Sequence, residues 1–213
     1  MNQRITNLRT KMKAQDLKAV LINNLKNVYY LTGFWGSNGT VLVTEERVVL
    51  FTDSRYTIHA HATCFPFVEI VETRNELEEA AKIVKDAAIH ELGFEDEITV
   101  AYQTRLATAF SEVSLRALSD FVMEFRLIKD ETEVATIRKA CSISDQAFLD
   151  VLEFIKVGQT TELEAATFLD FRMRELGASG VSFDIISAAG ERSAMPHATP
   201  SDRIISAGDA LTL

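Results

Sequence analysis

Over the first 127 residues, short runs of consecutive apolar residues alternate with stretches in which apolar residues recur every three or four positions. Ile5, Leu8, Met12 and, loosely, Leu17 have helical spacing, and Ala19-Val20-Leu21-Ile22 reads as a short buried strand. Asn27 to Leu31 predicts a short helix that Gly33 stops. Thr40-Val41-Leu42-Val43-Thr44 and Arg47-Val48-Val49-Leu50-Phe51-Thr52 flank Glu45-Glu46, which predicts a hairpin. A helix over Ser54 to Ala62, a strand over Phe67 to Val71 and an amphipathic helix over Glu76 to His90 follow. A strand end at Thr99-Val100 and a helix over Gln103 to Leu118 complete this half. Such alternation predicts an α/β layer, and the hairpin makes its sheet mixed.

The pattern changes near Leu127-Ile128-Lys129. Asp130 with Glu133, and then Thr161 with Glu164, have the spacing of capping boxes, each opening a helix. Val134, Ile137, Cys141, Ser144, Phe148, Val151 and Ile155 predict one buried face on the first helix, which ends before Gly158. Leu163, Ala166, Leu169, Met173 and Leu176 predict the face of the second, which runs to Gly177. Ser182 to Ile186 reads as a strand. A glycine turn, a Pro196-His197 loop and a last strand up to Leu213 follow. The division is therefore 1–127 and 128–213. The lack of any Pro/Gly/Ser-rich linker predicts a packed junction.

Composition narrows the classes. The formal net charge is −9, the wrong sign for a general binder of nucleic acid or anionic membrane. No run approaches the ~20 apolar residues of a membrane span, and the N-terminus lacks the apolar core of a signal peptide. The two cysteines, Cys64 and Cys141, have no metal or redox spacing and read as reduced thiols of a cytoplasmic protein. His59 and His61 share a face only if their segment is a strand, and no third metal ligand stands nearby.

Several motifs carry a resemblance. Tyr30-Leu31-Thr32-Gly33-Phe34, Gly36-Ser37-Asn38-Gly39 and Thr52-Asp53-Ser54-Arg55-Tyr56 come first. Arg126-Leu127-Ile128-Lys129-Asp130 follows, then the stretch Ser182 to Asp209 with Met195-Pro196-His197. In this order they resemble the Xaa-Pro aminopeptidase, prolidase and creatinase family. The resemblance implies a mixed-sheet creatinase-type N-terminal domain followed by the first part of an α+β pita-bread catalytic domain. It also implies an enzyme, a metallopeptidase hydrolysing the bond between an N-terminal residue and proline, and a homodimer or higher oligomer. The alternative is a shortened, non-catalytic homologue that keeps an oligomerising or peptide-contacting surface.

The same resemblance assigns residues. It makes His197 a catalytic donor to substrate or tetrahedral intermediate rather than a metal ligand. It places Phe183 in the pocket for the substrate's N-terminal side chain. Trp35, the only tryptophan, would touch a neighbouring subunit's cleft or simply pack. Arg55 would recognise a carboxylate or pair with Asp53. Ala198 and Pro200 depart from the family's usual residues around the histidine. The family's two divalent ions, Mn²⁺ by the oxygen-rich character of their ligands, are held by residues that would lie beyond Leu213. Asp184, Asp202 and Asp209 match non-ligand positions. The resemblance thus implies a chain that binds no metal and is inactive by itself.

Overall fold

The computed structural model describes residues 2–213. The chain divides into two compact units, Met1–Ile128 and Lys129–Leu213.

Among the described residues of the first unit, helices and strands run in the order α1 (Gln3–Ala14), β1 (Ala19–Ile22), α2 (Leu25–Thr32), β2 (Thr40–Thr44), β3 (Val48–Thr52), α3 (Thr57–Thr63). Then come β4 (Glu69–Glu72), α4 (Glu76–Asp86), β5 (Glu91–Glu95), α5 (Val100–Ala109), β6 (Ser114–Leu118) and the short α6 (Met123–Leu127). The sheet order is β4-β3-β2-β1-β5-β6. β1, β2 and β3 pair antiparallel, while β4, β5 and β6 join in parallel, so the sheet is mixed.

Strand alternation explains how both faces are covered. Val20, Ile22, Val41, Val43, Val48 and Leu50 pack with Ile5, Leu8 and Met12 of α1 and Val28 and Leu31 of α2. Ala19, Leu21, Leu42, Val49 and Phe51 pack on the opposite side with Leu77, Ala80 and Val84 of α4 and Leu106 of α5. A sheet sandwiched in this way needs apolar residues at consecutive strand positions, as β1, β2 and β3 have.

Two expectations fail here. β5, Glu-Leu-Gly-Phe-Glu, lies inside the sheet directly after the expected Glu76–His90 helix and ahead of the strand end expected at Thr99-Val100, and Thr99 is the N-cap of α5 rather than part of a strand. β6 replaces the last third of the expected Gln103–Leu118 helix. Both strands are short and polar at one or both ends. They are strands because β1 offers a parallel edge to β5 and β5 then offers one to β6.

In the second unit α7 (Glu131–Phe154) packs on α8 (Glu162–Glu175), and β7 (Ala188–Ala189) pairs antiparallel with β8 (Leu211–Thr212). Both capping boxes are present. The core comprises Ala147, Val151, Ala165, Leu169, Ala189 and Ile205. The predicted faces are corrected. Ile137, Cys141, Ser144 and Phe148 are exposed, and α7 is buried only at Ala147 and Val151. At ~1.5 Å per residue, a helix of this length outreaches the residues that pack against it in this unit. On α8 the buried stripe is Glu162, Ala165, Ala166 and Leu169, and Leu163 is exposed. Residues 182–186 form no strand, because nothing among the described residues pairs with them.

Candidate functional site

The first unit joins two of the sequence motifs. The turn Gly36–Gly39 folds against the segment that follows β3. The Ser37 N–H donates to the Tyr56 hydroxyl at 3.1 Å, and the two hydroxyls lie 2.8 Å apart. Asn38 Nδ2 donates to Asp53 Oδ2 at 2.6 Å. The Thr52 hydroxyl donates to the Asn38 carbonyl. Arg55 closes the cluster with a two-pronged pair, Nε to Asp53 Oδ1 at 2.9 Å and Nη2 to Oδ2 at 2.7 Å. Arg55 and then Asn38 hold the Asp53 carboxyl well below the usual range. A Cβ at Gly36 would lie 2.8 Å from the Phe34 ring and 2.9 Å from that of Tyr56, so this approach needs glycine.

Arg55 therefore spends its fork on Asp53, while its side chain remains largely exposed beside a cleft of ≈ 320 Å³ that Arg74 also lines. Trp35 is 67% exposed, and its ring meets His59 edge-on at 5.4 Å. His59 also contacts the Phe34 ring, and because α3 is a helix, His59 and His61 point to different sides.

In the second unit the candidate residues lie on irregular backbone. Phe183 is 73% exposed, outside any strand. His197 is exposed in a turn within the loop 190–201, directly before the buried Ala198. The loop opens with the 3-10 turn Gly190–Ala194, in which the Met195 N–H reaches the Arg192 carbonyl. Gly190 has φ +57, and a Cβ there would collide with Arg203 and Asp209. Those two side chains form their own two-pronged pair, and Asp209 also accepts the Ser206 N–H.

Beneath this loop lies Glu162, at the first position of α8 and 0% exposed. Its Oε1 accepts the Ala189 N–H at 2.8 Å, and its Oε2 accepts the Ser201 N–H at 3.1 Å and the Ser201 hydroxyl at 2.6 Å. Arg192 Nε lies 3.2 and 3.1 Å from the two oxygens, and Arg192 Nη2 donates to the Thr199 carbonyl at 2.7 Å. Burial pushes the Glu162 carboxyl up. The Ser201 hydroxyl, the Ala189 N–H and the Arg192 guanidinium outweigh it and hold the group below its ordinary value. The returning chain also caps α8, since the Glu162 and Leu163 N–H groups donate to the Arg203 and Ser201 carbonyls. Periodicity could not single out Glu162, because a glutamate in a first helical turn is commonplace and exposed.

Comparisons with known proteins agree with this architecture. A family profile described as the creatinase/prolidase N-terminal domain matches residues 4–128, and one described as metallopeptidase family M24 matches residues 135–213. The chain belongs to the creatinase/prolidase family. A structure titled Xaa-Pro dipeptidase from Bacillus anthracis superposes with TM-score 0.90 at 34% identity, covering 98% of this chain and 59% of that one. An X-Pro aminopeptidase from Thermotoga maritima gives 0.87 at 34%, covering 97% and 59%. The Xaa-Pro dipeptidase of Pyrococcus horikoshii is 30% identical over 100% of this chain and 59% of its own length. The chain thus spans about 60% of the length of the relatives it matches. Their names do not favour a non-catalytic reading.

The M24 description implies divalent metal ions. Among the described residues no three His, Cys, Asp or Glu side chains converge as a metal would need. Asp184 and Asp202 are exposed and apart from any such group, and Asp209 is committed to Arg203 and Ser206. No helix among the described residues is long and apolar enough to cross a membrane.

Proposed function

We propose that these residues belong to an Xaa-Pro aminopeptidase or dipeptidase, with 1–127 its N-terminal domain and 128–213 the first part of its catalytic domain. The observation that carries the reading is the match to Xaa-Pro peptidases along 97–100% of this chain. The substrate is a peptide with proline second, whose scissile amide has no N–H to grip. The reaction's two divalent ions are taken as manganese, and no ligand for them is assigned among these residues. The protein is taken as a cytoplasmic homodimer or higher oligomer.

His197 is assigned as the catalytic residue that donates a hydrogen bond to the oxygen on which charge develops. Its support is an exposed imidazole on a loop that is tied down at both ends. Phe183 is assigned to the pocket for the substrate's N-terminal side chain, and its exposure leaves the ring available. Trp35 is assigned to contact with a neighbouring copy's cleft. Arg55 is assigned to a substrate carboxylate, for which its Asp53 pair is a competing partner.

The test is steady-state hydrolysis of Xaa-Pro dipeptides and tripeptides with Mn²⁺ by a full-length peptidase carrying these residues. His197→Ala is expected to lower kcat ~10²–10³-fold with metal affinity unchanged. Near-normal kcat, or loss of metal instead, contradicts the assignment.

A further inference from the structure

We infer that Glu162 is the positioning residue of the His197 loop: one buried carboxylate holds both ends of the loop 190–201 and so fixes where the imidazole is presented. The role given to the imidazole rests on the proposed function, but the anchoring stands on geometry alone. Glu162 is completely buried, and a buried carboxylate is tolerated only when its oxygens are satisfied. All of its side-chain partners lie outside α8, at Ala189, Arg192 and Ser201.

Those three partners bracket His197 from both sides. Ala189 immediately precedes the loop, Arg192 lies in its first turn and Ser201 is at its far end. Arg192 adds a cross-brace, for the guanidinium on Glu162 also holds the Thr199 carbonyl. Between these points the chain is fastened by the Met195 N–H on the Arg192 carbonyl and the Ala198 N–H on the Met195 carbonyl. Ala198 is buried right after the exposed histidine. The loop has no helix or strand of its own from Met195 to Pro200. Beside the β7–β8 pairing at one end and the Leu163 N–H on the Ser201 carbonyl at the other, a single side chain fastens both ends.

Glutamine at position 162 keeps the shape but loses the charge and one acceptor oxygen. The measurement is made on the 213-residue chain by NMR relaxation, with hydrogen exchange as a second readout. In Glu162→Gln the His197 backbone N–H order parameter is expected to fall from the rigid range of ~0.85 toward <0.6. Amides of the loop 190–201 should exchange at least ~10-fold faster, which corresponds to about 1.4 kcal/mol of local opening, while α8 amides beyond its first turn retain their protection. A residue that only stabilises the unit would leave the order parameter of the folded state unchanged and raise exchange uniformly. Either result overturns the inference. Ser201→Ala removes one donor and leaves the carboxylate, so it serves if Glu162→Gln does not fold. A smaller loss of order confined to the loop is expected, and an unchanged loop overturns the inference.

The enzymatic arm separates the two ideas. In a full-length peptidase, Glu162→Gln should lower kcat with KM nearly constant, and Glu162→Asp should partly restore it. If His197→Ala keeps full activity while Glu162→Gln still loosens the loop, the functional reading fails and the anchor survives. If the loop stays rigid while His197→Ala is inactive, the anchor fails and the functional reading survives.

Discussion

Glu95 and Glu162 are both buried carboxylates that gather loop backbone, one in each unit, and their titrations are displaced in opposite directions. Glu95, at the end of β5, accepts the Asn23 and Asn24 N–H groups at 2.8 and 2.7 Å and the Asn27 amide at 2.5 Å. Burial raises its carboxyl above the ordinary value, because those donors do not offset the desolvation. Glu162 has a hydroxyl and a guanidinium among its donors and is held low. At Glu95 desolvation outweighs three neutral donors, whereas at Glu162 the Ser201 hydroxyl, then the Ala189 N–H and then the Arg192 guanidinium together outweigh it. The units differ in the same sense. The first closes a sheet between two apolar layers. The second has six buried apolar residues in its core cluster and relies on a charged hub to order its loop.

The comparison is broken most severely in the cores. Leu50→Ala should cost ~2–5 kcal/mol and lower the denaturant midpoint followed by fluorescence of Trp35, the sole tryptophan. Leu169→Ala should leave that midpoint in place and lower only the transition seen by far-UV ellipticity. A common shift in both probes would mean that the two units unfold as one.

Gly190→Ala comes next. Its φ and the collision with Arg203 and Asp209 should cost ~1–3 kcal/mol, seen as an earlier unfolding of the second unit in urea. An unchanged midpoint would show that the loop's hinge is not constrained.

A smaller, signed effect separates the two glutamates. The folded carboxyl of Glu95 lies above its unfolded value, so its contribution is most favourable at low pH and falls as pH rises through the ordinary range to the folded value. That of Glu162 lies below, so its contribution is complete above the ordinary range and is lost as pH falls through the folded value. Carbon-13 titration of the two side-chain carboxyls should place Glu95 above and Glu162 below a free glutamate. The same sign for both would remove the contrast.

The smallest change is expected on the exposed half of α7. Ile137→Ser should shift stability by less than ~0.5 kcal/mol. A larger loss that grows with protein concentration would mean that another copy covers this face.

Much of the first unit was legible in the residues, because β1, β2 and β3 are continuous apolar runs and their alternation serves two covered faces. Both capping boxes were legible as well, since a cap is a contact between residues three apart. β5 was not, because Glu-Leu-Gly-Phe-Glu is short, carries a glycine, has no β-branched residue and owes its state to β1. Leu163 and Ile137 were misplaced for a related reason: helical spacing names a stripe, and what packs against the helix selects it. At the candidate site, the motifs named His197, Arg55 with its partner Asp53, Trp35 and Phe183, but not what holds the His197 loop.

The sequence by itself determined the family, the mixed α/β class and the helix starts, all of which depend on local order along the chain. Only the tertiary structure decided that Asn38 joins Arg55 on Asp53, and that Glu162 lies under the His197 loop. Those contacts join residues that adjacency does not relate. Glu162 bonds across 27 to 39 positions, and a carboxylate's partners are set by which backbone and side-chain donors the fold brings within hydrogen-bond reach.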